Sequence, residues 1–118
     1  MGVAYHANYL VWCEIGRTDF IREQGLTYAQ MERDGMVLAV SEATMRFHSS
    51  ARYDDRVRVE TTLASVRSRS LTFTYLVSHA ESGIRLATAE TTLIILNRAG
   101  RPMSIPPALR RVLEDARS

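Results

Sequence analysis

Four stretches of this chain, 36–48, 56–67, 70–80 and 84–97, have the character of strands and follow one another with only short connections between them. Leu71, Phe73, Tyr75 and Val77 alternate with Thr72, Thr74, Leu76 and Ser78, the period of a half-buried strand. Val57, Val59, Thr61 and Leu63 alternate with Arg58, Glu60 and Thr62 in the same way. Glu81-Ser82-Gly83 reads as a hairpin turn between two long strands. Consecutive strands usually lie side by side, so the sheet is predicted to be mostly antiparallel. Its apolar face needs a cover, and the segment ahead of it supplies one.

Residues 9–16 read as helix. Tyr9, Trp12, Cys13, Gly16 and Phe20 recur at helical spacing, while Leu10, Val11 and Ile15 fill much of the opposite side. A helix apolar nearly all round is predicted to be buried. Polar residues return at Arg17, Asp19, Arg22 and Glu23, so the helix is expected to emerge from the core at its end. Asn8 is the predicted N-cap and Gly25 the stop, which spans roughly 24 Å of helix. Thr27-Tyr-Ala-Gln30 matches a capping box, so a short second helix follows and ends before Gly35. Arg98-Ala99-Gly100-Arg101-Pro102 ends the last strand, and Pro106-Pro107 opens a C-terminal helix. The expected fold class is α+β: one domain over residues 1–118, with a central helix wrapped by a curved antiparallel sheet.

Composition removes several functions. The net charge is only +2, and the arginines are scattered rather than gathered in a stripe, which argues against nucleic acid as a partner. All 15 basic residues are Arg. Codon bias explains this, although Arg forks also suit phosphate groups. A single cysteine, Cys13, excludes an internal disulfide and fits a reducing, cytoplasmic setting. There is no signal-peptide pattern, and no apolar run approaches the ~18 residues of a membrane span. His48 and His79 stand apart, and no cluster offers metal-ligand spacing. Neither a Gly-rich phosphate loop nor a Gly-x-Ser-x-Gly elbow is present.

The segment Gly2-Val3-Ala4-Tyr5-His6-Ala7-Asn8-Tyr9 resembles the signature of hotdog-fold acyl-CoA thioesterases of the 4-hydroxybenzoyl-CoA thioesterase-like family. Ala51-Arg52-Tyr53-Asp54-Asp55 resembles a turn of that family, with Ser50 where many members have Pro. Arg67-Ser68-Arg69-Ser70 resembles a strand start, and Gly100-Arg101-Pro102 fits near the C-terminus. The resemblance implies a hotdog fold with its usual N-terminal strand missing. It implies an acyl-CoA thioesterase acting on a short-chain or aromatic acyl group without a cofactor. It also implies a homo-oligomer, a dimer or dimer of dimers, with active sites at the dimer interface. Members carry a catalytic Asp in the form Asp-x-x-Gly, which in this register falls ahead of Met1. The expectation is weak or no activity in this 118-residue form and activity in a form extended upstream.

Thioester hydrolysis needs donors for the developing oxyanion and a group that delivers oxygen to the carbonyl. A helix N-terminus offers free amides and a positive dipole end. The resemblance assigns the carbonyl contact to the amide of His6, whose imidazole is a further candidate. Tyr5, Glu14 and Ser70 complete the candidate catalytic set. Glu14 is either a base whose pKa burial raises or a structural ion-pair partner of Arg17. Gly2, Val3, Asn8, Tyr9 and Trp12 are candidate substrate contacts. Arg67 and Arg69 are candidates for the phosphates of coenzyme A, or else a solvated strand end. Two alternatives to the thioesterase are a non-catalytic acyl-binding or protein-binding hotdog module and a hotdog dehydratase or hydratase. His6 and Glu14 match the latter poorly.

Overall fold

The computed structural model describes residues 6–49 and 56–117, without the side chains of residues 6–8. Its elements are α1 (His6–Glu23), α2 (Tyr28–Arg33), β1 (Val37–Phe47), β2 (Val57–Val66), β3 (Ser70–His79), β4 (Arg85–Leu96) and α3 (Pro107–Ala116). The four predicted strands therefore form, each within a residue or two of its expected bounds. Every pairing is antiparallel. The order is β1-β4-β3-β2, so β1 pairs with the last strand rather than with its neighbour in sequence. The alternation read in β3 holds, with Leu71, Phe73, Tyr75 and Val77 all buried against α1's side of the sheet.

The helix boundaries follow local chemistry, with one correction. α1 ends at Glu23, and Gly25 just beyond it has a φ of 80°, which suits glycine. The Gly25 N–H donates to Arg22 O at 2.9 Å and the Leu26 N–H to Ile21 O at 3.3 Å, which satisfies the last carbonyls. Thr27 caps α2 by accepting from the Gln30 N–H at 3.1 Å, as the capping box predicts. α3 starts one residue after Pro106. Asn8, however, is not a cap: α1 is already helical at His6. Tyr9 packs edge-on against Phe47 with ring centroids 5.0 Å apart, and this tertiary anchor holds the first turn helical despite the capping preference of Asn8.

The central helix is buried on one side only. Tyr9, Cys13, Arg17 and Ile21, each four residues from the next, form its inner stripe. Leu10, Val11 and Ile15 are about half exposed, contrary to the expected all-round burial. A four-stranded sheet can cover only one side of a helix, and α1 lies mainly over β2 and β3, with Tyr9 reaching Phe47 of β1 and Ala87 of β4. Of the polar residues expected to mark its emergence, Asp19, Arg22 and Glu23 are exposed, but Arg17 is buried at 8% exposure. The main core gathers Ile21, Leu63, Leu71, Phe73, Leu93, Ile95 and Leu113. A smaller cluster of Tyr9, Val77, Leu86 and Ala87 sits under the start of α1.

Candidate active site at the start of the central helix

The N-terminus of α1 is the chemically distinctive place in the fold. The first four amides of a helix have no acceptor within it, and the dipole presents partial positive charge there. Because α1 begins at His6, the His6 amide falls in the first turn, ahead of the predicted cap at Asn8. Tyr9 closes the inner side of this turn. It is 2% exposed and meets Trp12 edge-on at 4.8 Å and Phe47 at 5.0 Å. Trp12, half-buried, extends the aromatic wall one turn further. The small buried residue Ala87 of β4 packs in the same cluster as these rings.

The other candidates scatter. Gly2, Val3, Tyr5, Asp54 and Asp55 lie outside the described residues, and His6 and Asn8 are described by backbone alone. Glu14 is exposed, so the burial that motivated its role as a base is not provided within the chain. Arg67 and Arg69 are exposed at the turn between β2 and β3, where the Arg67 N–H donates to Ser70 O at 2.9 Å. Ser70 is half-buried opposite Ile94, at the first position of β3. Val77, which packs beside Tyr9, lies near the other end of the same strand. At about 3.3 Å per residue, Ser70 is roughly 20 Å from the start of α1. One chain thus does not bring Ser70, Arg67 and Arg69 to the helix N-terminus.

A hollow of about 680 Å³ lies elsewhere, lined by residues that include Thr44, Arg46, Glu60, Thr74, Thr88 and Glu90. It is an open saddle on the outer sheet face, away from α1. His48 Nε2 is 3.1 Å from Thr88 Oγ1 near its rim.

Sequence reasoning missed a buried polar cluster in the middle of α1. Arg17 Nη1 donates to Tyr75 Oη at 3.1 Å, and Tyr75 Oη pairs with Thr91 Oγ1 at 2.7 Å. Burial works against the Arg17 charge, but the Tyr75 and Tyr28 hydroxyls outweigh it and hold its pKa above the ordinary value. Tyr28 Oη is near enough to feel that charge yet outside hydrogen-bonding geometry, and it has no hydrogen-bond partner. Burial also raises the Tyr75 hydroxyl, against the pull of Thr91 and Arg17. Cys13, one turn away, is pushed up to about 11 by burial, with Arg17 opposing. The four-residue spacing of Tyr9, Cys13, Arg17 and Ile21 was the available signal.

A profile of the thioesterase-like superfamily matches residues 1–113. The chain belongs to that superfamily. Among its relatives in the superfamily, the acyl-CoA thioester hydrolase YbgC of Escherichia coli is 28% identical over 109 residues, covering 92% of this chain and 81% of that protein. The crystal structure of protein TT1821 from Thermus thermophilus superposes with a TM-score of 0.91 at 34% identity, covering 98% of this chain and 88% of that one. A DHNA-CoA thioesterase from Staphylococcus aureus also gives a TM-score of 0.91, at 28% identity over 98% of this chain and 79% of its own. The fold is the hotdog fold of these thioesterases, an α+β architecture with a curved four-stranded antiparallel sheet around a helix. Among the described residues, no helix is long and apolar enough to cross a membrane.

Proposed function

We propose that this chain hydrolyses the thioester of a short-chain or aromatic acyl-CoA, releasing the free acid and coenzyme A. The observation that carries the reading is the start of α1 at His6. It puts the amide that the family resemblance assigns to the thioester carbonyl into the helix's first turn. There it has no intrahelical acceptor and stands at the positive end of the dipole. Donors of this kind contribute most as charge moves onto the carbonyl oxygen. Tyr9 and Trp12 then wall the acyl group, an arrangement that suits flat or short groups.

Ser70, Arg67 and Arg69 are too far along the sheet to serve the same chain's helix, so in this reading they serve the site of a neighbouring copy. The half-exposed Leu10, Val11 and Ile15 support such self-association, because a contiguous apolar helix face favours a partner over water.

The test is thiol release from a panel of aliphatic and aromatic acyl-CoA thioesters. It is run on the 118-residue chain. Turnover of at least one thioester above the uncatalysed rate is expected. Saturable binding with no turnover would replace the hydrolase with the acyl-binding module.

A further inference from the structure

The buried cation of α1 has no counter-charge: among the described residues, no carboxylate pairs with Arg17. Its Nε is buried without a hydrogen-bond partner. A guanidinium kept inside a core at this cost invites the question of what it does there, since burying a charge is weak evidence for a gain in stability.

The rest of α1's inner face gives the answer. Tyr9, Cys13, Gly16, Phe20 and Ile21 meet the sheet through apolar or close-packed contacts. Apolar burial is non-directional; the close approach of Gly16 to Thr61 limits how near α1 comes to β2 but supplies no attractive contact of fixed direction. The Arg17–Tyr75 hydrogen bond is directional, and Tyr75 is itself fixed by Thr91 on the adjacent strand. A slip of α1 by one residue moves every group on it by about 1.5 Å and turns the helix by about 100°. Such a slip would strand the guanidinium in the core with no acceptor, an uncompensated buried charge.

We infer that Arg17 is a positioning residue: through Tyr75 it sets the axial position and rotation of α1, and so places the N-terminal amides that meet the thioester. The inference rests on the proposed hydrolase reading for its catalytic consequence, but not for its structural one. Misplacement of an oriented group by about 1 Å costs on the order of a hundredfold in rate.

The experiment compares Arg17→Met and Tyr75→Phe with the parent chain, and with Leu113→Ala as a destabilised control whose side chain lies on α3. Two readouts are taken. Steady-state kinetics on the best thioester should show kcat lowered about tenfold to a hundredfold in both variants, with KM changed less than about threefold. The control should lose thermal stability without that split. Independently of activity, NMR contacts between the Tyr9 and Phe47 rings and between Phe20 and Phe73 should both weaken or change partners in the two variants, as expected when a helix shifts along its axis. If Arg17→Met does not fold, Tyr75→Phe carries the test. Unchanged ring contacts in a folded variant would overturn the inference, as would ring contacts that change without altering kcat in an active parent. A parent inactive on the whole panel would overturn the hydrolase reading alone, and the ring contacts would still decide the role of Arg17.

Discussion

Gly16 lies so close to Thr61 that a methyl group added to it would overlap Thr61 Oγ1 and stand 3.0 Å from Val59 Cγ1. This approach lets the central helix settle onto β2, and it explains a glycine in the interior of a helix. Alanine there would gain about 1 kcal/mol of helix propensity but overpack the interface by about 1–3 kcal/mol. Gly16→Ala is therefore expected to lower the midpoint of thermal unfolding. Adding Thr61→Ala removes the obstructing hydroxyl, and also a buried oxygen with no hydrogen-bond partner. The double variant should recover most of the loss, and a cycle of the two changes should show coupling well above about 0.5 kcal/mol. Purely additive losses would place the strain elsewhere.

Gly25 tests a different property. Nothing lies within 4 Å of a Cβ built there, but its φ is +80°. Gly25→Ala should cost about 1–2 kcal/mol through backbone strain alone. Urea unfolding should show a lower midpoint with an unchanged slope, since no buried surface is altered.

Cys13 gives the chain an alkaline limit. Its thiol is held protonated up to about 11, against an ordinary 9.0. The folded state therefore keeps a proton that the unfolded chain releases earlier. The associated stability is full below pH 9 and is lost as pH rises through about 11, on the order of 2–3 kcal/mol in all. Tyr75, raised mainly by burial, adds to the loss in the same direction. Stability measured by urea unfolding between pH 7 and 11 should decline less steeply in Cys13→Ala than in the parent. Equal slopes would show that the thiol does not titrate as described.

The exposed helix face bears on assembly. Ile15 is 53% exposed, with Leu10 and Val11 close behind. Ile15→Glu would place a charge inside any contact made by this face, at a cost of several kcal/mol if the face is buried between copies. Light scattering should report a smaller species for the variant than for the parent, with circular dichroism unchanged. An identical mass would rule out this face as the contact.

Much of the fold was legible because its signals are local. The two-residue alternation around Phe73 and Tyr75, the Thr27 cap, the glycine stop at residue 25 and the proline at residue 107 each depend on a few neighbouring residues. Strand order was not legible, because pairing Val37 with Leu96 is decided by the closure of the whole sheet. The face of Tyr9, Cys13, Gly16 and Phe20 does turn inward, but the opposite side of α1 was misread, because apolarity alone cannot say whether Leu10, Val11 and Ile15 are also covered. Arg17 reads as surface until Tyr75 and Thr91 are seen around it. Of the candidate site, the helix start depends on a short local segment, and the structure has α1 helical from His6. The site was not legible at Ser70, where position along the sheet matters more than residue type.

The placement of β1 beside β4 has a consequence during synthesis. Ser41 donates to Thr92 O across 51 residues of chain. At about 5–20 residues per second, β1 leaves the ribosome several seconds before its partner exists. Until then it is an unpaired edge, the kind of segment that joins other chains. Its centre carries Ser41, Glu42, Thr44 and Arg46, and the register breaks between Val40 and Glu42. A polar, irregular strand is a poor template for aggregation, so β1 is suited to waiting for β4 while the rest of the sheet is made.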